Sequence, residues 1–586
     1  MRNNYCFKSQ CMRLNFTNIN KKHNDMKKLL IVWIISFSYN SWASPNPVFA
    51  ENGMVVSTSH EASIAGIEIL KKGGNAVDAA CAIGFALAVT SSSNGNLGGG
   101  GFMVAHMADG TTFTLDYREK APLAAHRDMF LDSNGTVIDD MSLRTRASSG
   151  VPGSVDGLLK AWENYGSGRL SYREILAPAI ALAERGFELS YYEAKRFNNN
   201  KDLFLRNAAA SKIFIRKDRK PWKAGDRLIQ KDLSKTLKRI FLKGRDGFYH
   251  GKTADLIVAE MNRGVGLITH EDLLNYESKY RDPIIGSFNG YEIITMGLPS
   301  SGGAILIEML NMLENFSLAD IGWNTSNYIH ILTEVERRAY ADRAEHLGDS
   351  DFWTAPISML ISKQYAKDRM NDFFMEKATP SADIFAGDPN DYESSETTHY
   401  SVIDKDGNAV SVTTTINLGY GSGILVKGAG FFLNNEMDDF SVKAGVPNYF
   451  GLVGNDANAI EPRKRPLSSM TPTIVLKDNE PLIILGSPGG SRIITTVLQT
   501  ILNVTVHNMS IQEAVSAPRV HSQWLPEVIM VEPFSVNKDV RKLLKRKGHK
   551  ISPYVIMIGE MNAILINESG YFGGADTRGE NTAIGY

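Results

Sequence analysis

The sequence predicts a mixed α/β (α+β) protein, and three stretches carry that expectation. Residues 396–417, ETTHYSVIDKDGNAVSVTTTIN, alternate their side chains on both sides of Asp406-Gly407-Asn408, the pattern of two antiparallel strands joined by a tight turn. Residues 170–375 carry mostly the three-to-four-residue apolar spacing of helices. Residues 481–496, PLIILGSPGGSRIITT, pass from an apolar strand through a Gly/Pro turn into another helix. With 586 residues the chain can bury a large core, and length alone allows three or four domains. A hydrophobic content of 43% and a charged content of 22% are ordinary for a globular protein and name no function.

In chain order, residues 1–43 differ from the rest. Met26-Lys27-Lys28, an apolar run from Leu29 to Phe37, and Ser41-Trp42-Ala43 follow the basic, apolar, small-residue order of a secretory signal peptide. The run is too short for a membrane-spanning helix, and Pro45 and Pro47 argue against a buried one. The expected product is a periplasmic or secreted protein without a stable membrane span. Loss of residues 1–43 would move the formal net charge from −1 to −7, which is not a nucleic-acid binder's balance. It would also remove Cys6 and Cys11 and leave Cys81 alone, so no intrachain disulfide is expected.

Residues 61–90 read as two helices. Ile64, Ile67, Ile69 and Leu70 make one face, Gly73-Gly74 stops it, and a nearly all-apolar helix follows from Ala76. The glycine-rich run 95–101 lacks the Lys-Ser/Thr ending of a phosphate loop, so its glycines are expected to let strands pack closely. Thr114 to Glu119 is a strand ending in charge. Helices are expected over 172–183, 232–243, 254–262 and 328–343, with a strand pair at 283–296 turned at Asn289-Gly290. Nothing in that half is expected to be catalytic.

The hairpin is the stretch with chemical consequence. Residues 378–396 are polar and rich in Pro, Gly, Asp and Ser, so Thr397 begins a strand at a boundary open to cleavage. A cut of the Glu396–Thr397 bond would give Thr397 a free α-amine with a pKa of about 7.7 to 8.0, able to take the proton from its own hydroxyl. Thr415 and Asn417 lie two residues apart at the hairpin's end and are expected on one face. In 431–440, FFLNNEMDDF, the acids Glu436, Asp438 and Asp439 lack calcium-loop spacing; a carboxylate pair suits an ammonium group instead, and no metal is expected. Residues 441–462 are rich in Gly, Pro and Asn and read as a long loop of the kind that covers sites. Ser468-Ser469 sits in a loop with no G-x-S-x-G elbow. Gly489-Gly490 opens a helix whose backbone N–H groups suit a phosphate. Strands at 528–532 and 563–566 and a basic helix at 540–546 complete the chain.

TTHYS at 397–401, DYRE at 116–119, the acidic cluster, RPLSSM at 465–470, GSPGG at 486–490 and the closing GGADTRGENTAIGY together resemble the gamma-glutamyltransferase (glutathione hydrolase) family of N-terminal nucleophile hydrolases, over about 51–586. The resemblance implies a four-layer αββα sandwich and a precursor that cuts itself between Glu396 and Thr397. Its pieces, 44–396 and 397–586, would stay together as a heterodimer. Thr397 would be nucleophile and amine base, Thr415 would hydrogen-bond its hydroxyl, and Gly489 and Gly490 would form the oxyanion hole. Arg118, Ser468 and Ser469 would hold the substrate's α-carboxylate, Glu436 and Asp439 its α-amine, and Asn417 would also bind substrate. The implied substrates are glutathione and other γ-glutamyl compounds, with water, amino acids or dipeptides as acceptors and no cofactor. Three positions depart from the pattern: Glu436 stands where some relatives have Gln, Phe450 where many bacterial relatives have a gating Tyr, and Thr577 where relatives often have Pro. A related acylase for cephalosporin side chains or poly-γ-glutamate, or an uncut scaffold, are the alternatives.

Overall fold

Alternating strands and apolar helix faces assemble into four layers in the computed structural model, which describes residues 44–384 and 397–586. The expected leader, 1–43, and the Glu396 side of the expected cleavage bond lie outside these residues. Two seven-stranded sheets form the middle layers. The first runs, edge to edge, through Thr582–Gly585, Met54–Ser57, Thr398–Ile403, Ala409–Thr415, Gly100–His106, Thr112–Asp116 and Lys279–Arg281, every neighbour antiparallel. The second runs through Val48–Ala50, Gly570–Ala575, Asn562–Asn567, Glu480–Gly486, Thr473–Lys477, Tyr291–Thr295 and Ile284–Phe288.

The two-residue period of a strand decides what lies between the layers. Tyr400 and Val402 point to one side, into a core shared with the helices His60–Lys71 and Ala76–Thr90. His399 and Ser401 point to the other side, between the sheets. There the Ser401 hydroxyl lies 3.3 Å from the Ile484 carbonyl and 3.2 Å from that of Asn562, and Ser411 donates to Leu485 O at 3.0 Å. Burial pushes the His399 imidazole down to about 3, so it stays neutral and bonds Thr413 and Ser401. The inter-sheet layer is therefore a polar seam flanked by aliphatic residues rather than a wholly apolar core. On the far side the second sheet is covered by Gly302–Leu313 and Ile493–Thr505, which share a core with Ile474, Ile483 and Ile484.

Helix starts follow from local chemistry. Asn75 and Asp78 form a reciprocal capping box for Ala76–Thr90, as Ser171 and Glu174 do for Tyr172–Arg185. The expected hairpin at 283–296 turns at Asn289 and Gly290 with φ of 48° and 83°, a left-handed pair suited to a two-residue loop. The helix after the Gly/Pro turn starts later than its glycines: Gly490–Arg492 is a short 3₁₀ turn and the α-helix opens at Ile493. Among the described residues no helix is long and apolar enough to cross a membrane.

Candidate active site

Strand pairing places the first site residues. Thr398 pairs with Thr414, so one further step of the antiparallel register sets Thr397 across from Thr415. The glycine-rich run and the residue before it fasten both strand ends: Asn94 Nδ2 donates to Thr397 O at 2.9 Å and Asn96 Nδ2 to Thr415 O at 2.8 Å. A Cβ on Gly99 would stand 2.2 Å from Thr415 O, which only glycine avoids. These glycines do bring backbones together, as their sequence implied.

Thr397 and Thr415 open on a cavity also lined by Arg118, Asn417, Asp439, Ser468, Ser469 and Gly490. Residues hundreds of positions apart in sequence thus share one wall. Two expected site residues do not line it. Glu436 lies behind Arg118, fully buried, and Gly489 sits one residue back from Gly490 with φ of 145°. Asn417 lies past the strand end in the left-handed region, φ 70°, so strand alternation does not set its direction. Its N–H donates to Thr415 Oγ1 at 2.8 Å and its Nδ2 to Asn435 O at 2.9 Å. Among the described residues the buried Oδ1 has no partner, and as an acceptor it suits an N–H donor such as an ammonium.

Charge in the site is concentrated on one guanidinium. Arg118 is fully buried, lies 2.6 Å from Glu436 and 3.6 Å from Glu119, and bonds Asp439 closely. Burial alone would pull its pKa down, but Glu436 and Asp439 outweigh this and raise it. Burial also lifts the acids, Glu119 to about 8 and both Glu436 and Asp439 above the usual carboxylate range, while Arg118 opposes each rise. Three carboxyls around one cation form a set that a bound ammonium would complete and a bound carboxylate alone would not.

The loop 441–462 is tied to the same acids. Tyr449 N donates to Asp438 Oδ2 at 3.1 Å, and Asn448 Nδ2 reaches Asp439 Oδ1 at 3.3 Å. The loop brings Phe450 against Gly490, where an added Cβ would stand 2.5 Å from the ring, and Gln523 Nε2 donates to Phe450 O at 3.0 Å. Phe450 thus covers the site by packing, without the hydroxyl a Tyr would bring.

Burial, only partly offset by bonds from Ser142 and the Tyr449 N–H, pushes the Asp438 carboxyl up to about 7. A carboxyl that holds its proton to higher pH when folded than when unfolded makes stability fall as pH rises from about 4 to about 7. Asp438→Asn is expected to remove that part of the slope, at most about 4 kcal/mol, in thermal melts between pH 4 and 8. An unchanged slope would clear Asp438 of this role.

Sequence reasoning missed Arg343, which lines the cavity from the helix Ser326–His346. Its Nε donates to Ser301 Oγ at 2.9 Å and its Nη2 to Ser469 Oγ at 3.3 Å. Burial pulls its pKa down to about 10, with Tyr340 and Asp439 opposing the fall. An Arg in a helix rich in both charges carries no local signal of such a position. Among the described residues one group could reach a metal, His330, Glu334 and His549. His330 Nδ1 and His549 Nε2 already bond each other at 2.7 Å, and Glu334 accepts from Arg338 at 2.8 Å and from Thr379 N at 3.0 Å. That group reads as a lock on the 374–379 segment rather than a cation site.

A family model described as Gamma-glutamyltranspeptidase matches residues 62–586. The chain is 46% identical over 543 residues to the glutathione hydrolase proenzyme of Escherichia coli (strain K12), covering 92% of this chain and 93% of that one. A solved cephalosporin acylase from Bacillus halodurans superposes with a TM-score of 0.80 at 25% identity, over 94% of this chain and 99% of its own. A solved Helicobacter pylori gamma-glutamyltranspeptidase chain, 42% identical with a TM-score of 0.55, is matched over 96% of its length yet covers 59% of this chain.

Proposed function

This chain belongs to the gamma-glutamyltranspeptidase family, and from that membership we propose how its cavity does the family's work. The protein is a self-processing gamma-glutamyltransferase of the glutathione hydrolase type. The observation that carries the reading is the meeting of a strand-opening threonine, two pocket serines, a buried Arg–acid set and a glycine backbone around one cavity.

In the proposed reaction the Thr397 hydroxyl attacks the γ-amide carbonyl of glutathione or a related compound, and the α-amine freed by scission before Thr397 takes its proton. The oxyanion forms against the Gly489–Gly490 backbone, where one donor contributes ~3 to 4 kcal/mol to the transition state. The amine then gives its proton to the departing amine, leaving a γ-glutamyl ester on Thr397. Water or an acceptor amino acid or dipeptide releases the group as glutamate or a new γ-glutamyl amide. Thr415 orients the nucleophile. Asp439 and Asn417 Oδ1 receive the α-amine, Glu436 adding negative charge from behind Arg118, and Arg118, Ser468 and Ser469 receive the α-carboxylate.

A cut before Thr397 into associated pieces 44–396 and 397–586 is supported by the polar, Pro/Gly/Asp/Ser-rich residues 378–396 that precede Thr397 and by the E. coli relative being named a proenzyme. The leader-like residues 1–43 support export to the periplasm or medium. The acylase alternative shares the nucleophile and fold, but an Arg–acid set beside the unpartnered Asn417 Oδ1 favours an amino-acid head group over an uncharged side chain.

Purified protein is expected to run on denaturing gels as pieces of roughly 350 and 190 residues. It should release the chromophore of a γ-glutamyl anilide, faster with glycylglycine as acceptor. Turnover of a cephalosporin side chain but not of the anilide would move the protein to the acylase reading.

A further inference from the structure

We propose that Arg343 is a positioning residue for substrate choice: it turns the Ser469 hydroxyl toward the α-carboxylate and supplies the second positive charge of the head-group site. The proposal rests on the γ-glutamyl reading above. Arg343 is buried, lines the same cavity as Thr397, Ser468 and Ser469, and comes from an element that the functional reading otherwise leaves as scaffold.

Two observations lead to it. The first is charge. Arg118 is shared among Glu119, Glu436 and Asp439, so a carboxylate arriving beside it meets a guanidinium already engaged by other carboxyl groups. Among the described residues Arg343 has no carboxylate within ion-pair distance; its guanidinium donates to the hydroxyls of Ser301 and Ser469. When Asp439 turns to the substrate's ammonium, Arg118 and Arg343 together can balance its carboxylate.

The second is the direction of the hydroxyl hydrogens. Ser469 Oγ accepts from Arg343, and Ser468 Oγ accepts from Met470 N at 3.1 Å. Each serine has an acceptor site filled, and neither hydroxyl donates to another described residue, so both O–H groups remain to be given to a ligand anion. Arg343 also steadies the backbone that carries them. It donates to Ser301 Oγ, and Ser301 in turn donates to Ser468 O from Oγ at 2.6 Å and from N at 2.8 Å. One guanidinium thereby orients Ser469 directly and Ser468 through the opening of the helix Gly302–Leu313.

The test compares two substrates with the same scissile anilide. γ-Glutamyl anilide carries the α-carboxylate, whereas 4-aminobutyryl anilide lacks it and keeps the amine. Arg343→Gln is expected to lower kcat/KM for the first by about 10-fold or more, mostly through KM, and to change the second less than about threefold; Arg343→Lys should recover part of the loss. Equal losses on both substrates would make Arg343 a merely structural residue and overturn the proposal. A wild type inert toward both anilides would instead overturn the γ-glutamyl reading, and the proposal with it. Gels showing both pieces confirm that a variant has matured. Should neither variant mature, the same comparison on Ser469→Ala decides the matter, with equal losses again the overturning result.

Discussion

Thr397→Ala is expected to remain one uncut polypeptide and to lose γ-glutamyl anilide turnover by on the order of 10⁴-fold or more. The substitution removes the oxygen that attacks both the chain's own preceding bond and the substrate amide, so processing and turnover fail together. Little else should change. Thr397 stands at the start of its strand, 5% exposed, and the bond recorded from Asn94 is to its main-chain carbonyl, which alanine retains. The variant's melting temperature should therefore stay close to that of any other uncut form. Thr397→Ser keeps a hydroxyl and should still mature and turn over, more slowly. A Thr397→Ala protein that gives two bands and normal turnover would place the nucleophile elsewhere.

Substitution of Arg118 has the second largest expected effect, and its two forms separate binding from folding. Arg118→Leu leaves Glu119, Glu436 and Asp439 buried without their counter-charge, at a cost of about 3 to 5 kcal/mol. The orphaned carboxyls can take up protons instead, so the loss should be smaller at pH 5 than at pH 8. Arg118→Lys keeps a charge but loses the planar fork that lets one residue face Glu436 and Asp439 while its Nε donates to Pro466 O at 3.3 Å. Its KM for γ-glutamyl anilide should rise by about 10- to 100-fold. An unchanged KM would remove Arg118 from the head-group site, and a melt insensitive to Arg118→Leu would show that the three acids do not depend on it.

Much of the site could be read from the sequence because its parts lie where local rules are strong. A threonine opening an alternating strand, Asp406-Gly407-Asn408 at a turn, and glycines beside strand ends all report on their own few residues of backbone. The structure bears them out in the hairpin Thr398–Ile403 and Ala409–Thr415 and in the close approach of Gly99 to Thr415. The acids of 431–440 were visible as a cluster, yet their engagement with Arg118 was not. Asn417 was placed by strand alternation, and its left-handed φ shows that the strand had already ended. Phe450 could be placed in a loop by composition, but its packing on Gly490 joins segments that share no local pattern.

The amino-acid sequence by itself determined the strands, helix faces, turns and family, since these rest on preferences expressed within a few residues and on motifs kept in one order. The tertiary structure alone decided which charges face each other. Arg118 meets Glu436 and Asp439 from more than 300 positions away, and Arg343 reaches Ser469 from another element altogether. Coulomb attraction and hydrogen bonding act through distance in space, and a linear order of residues does not contain that distance until the sheets have stacked.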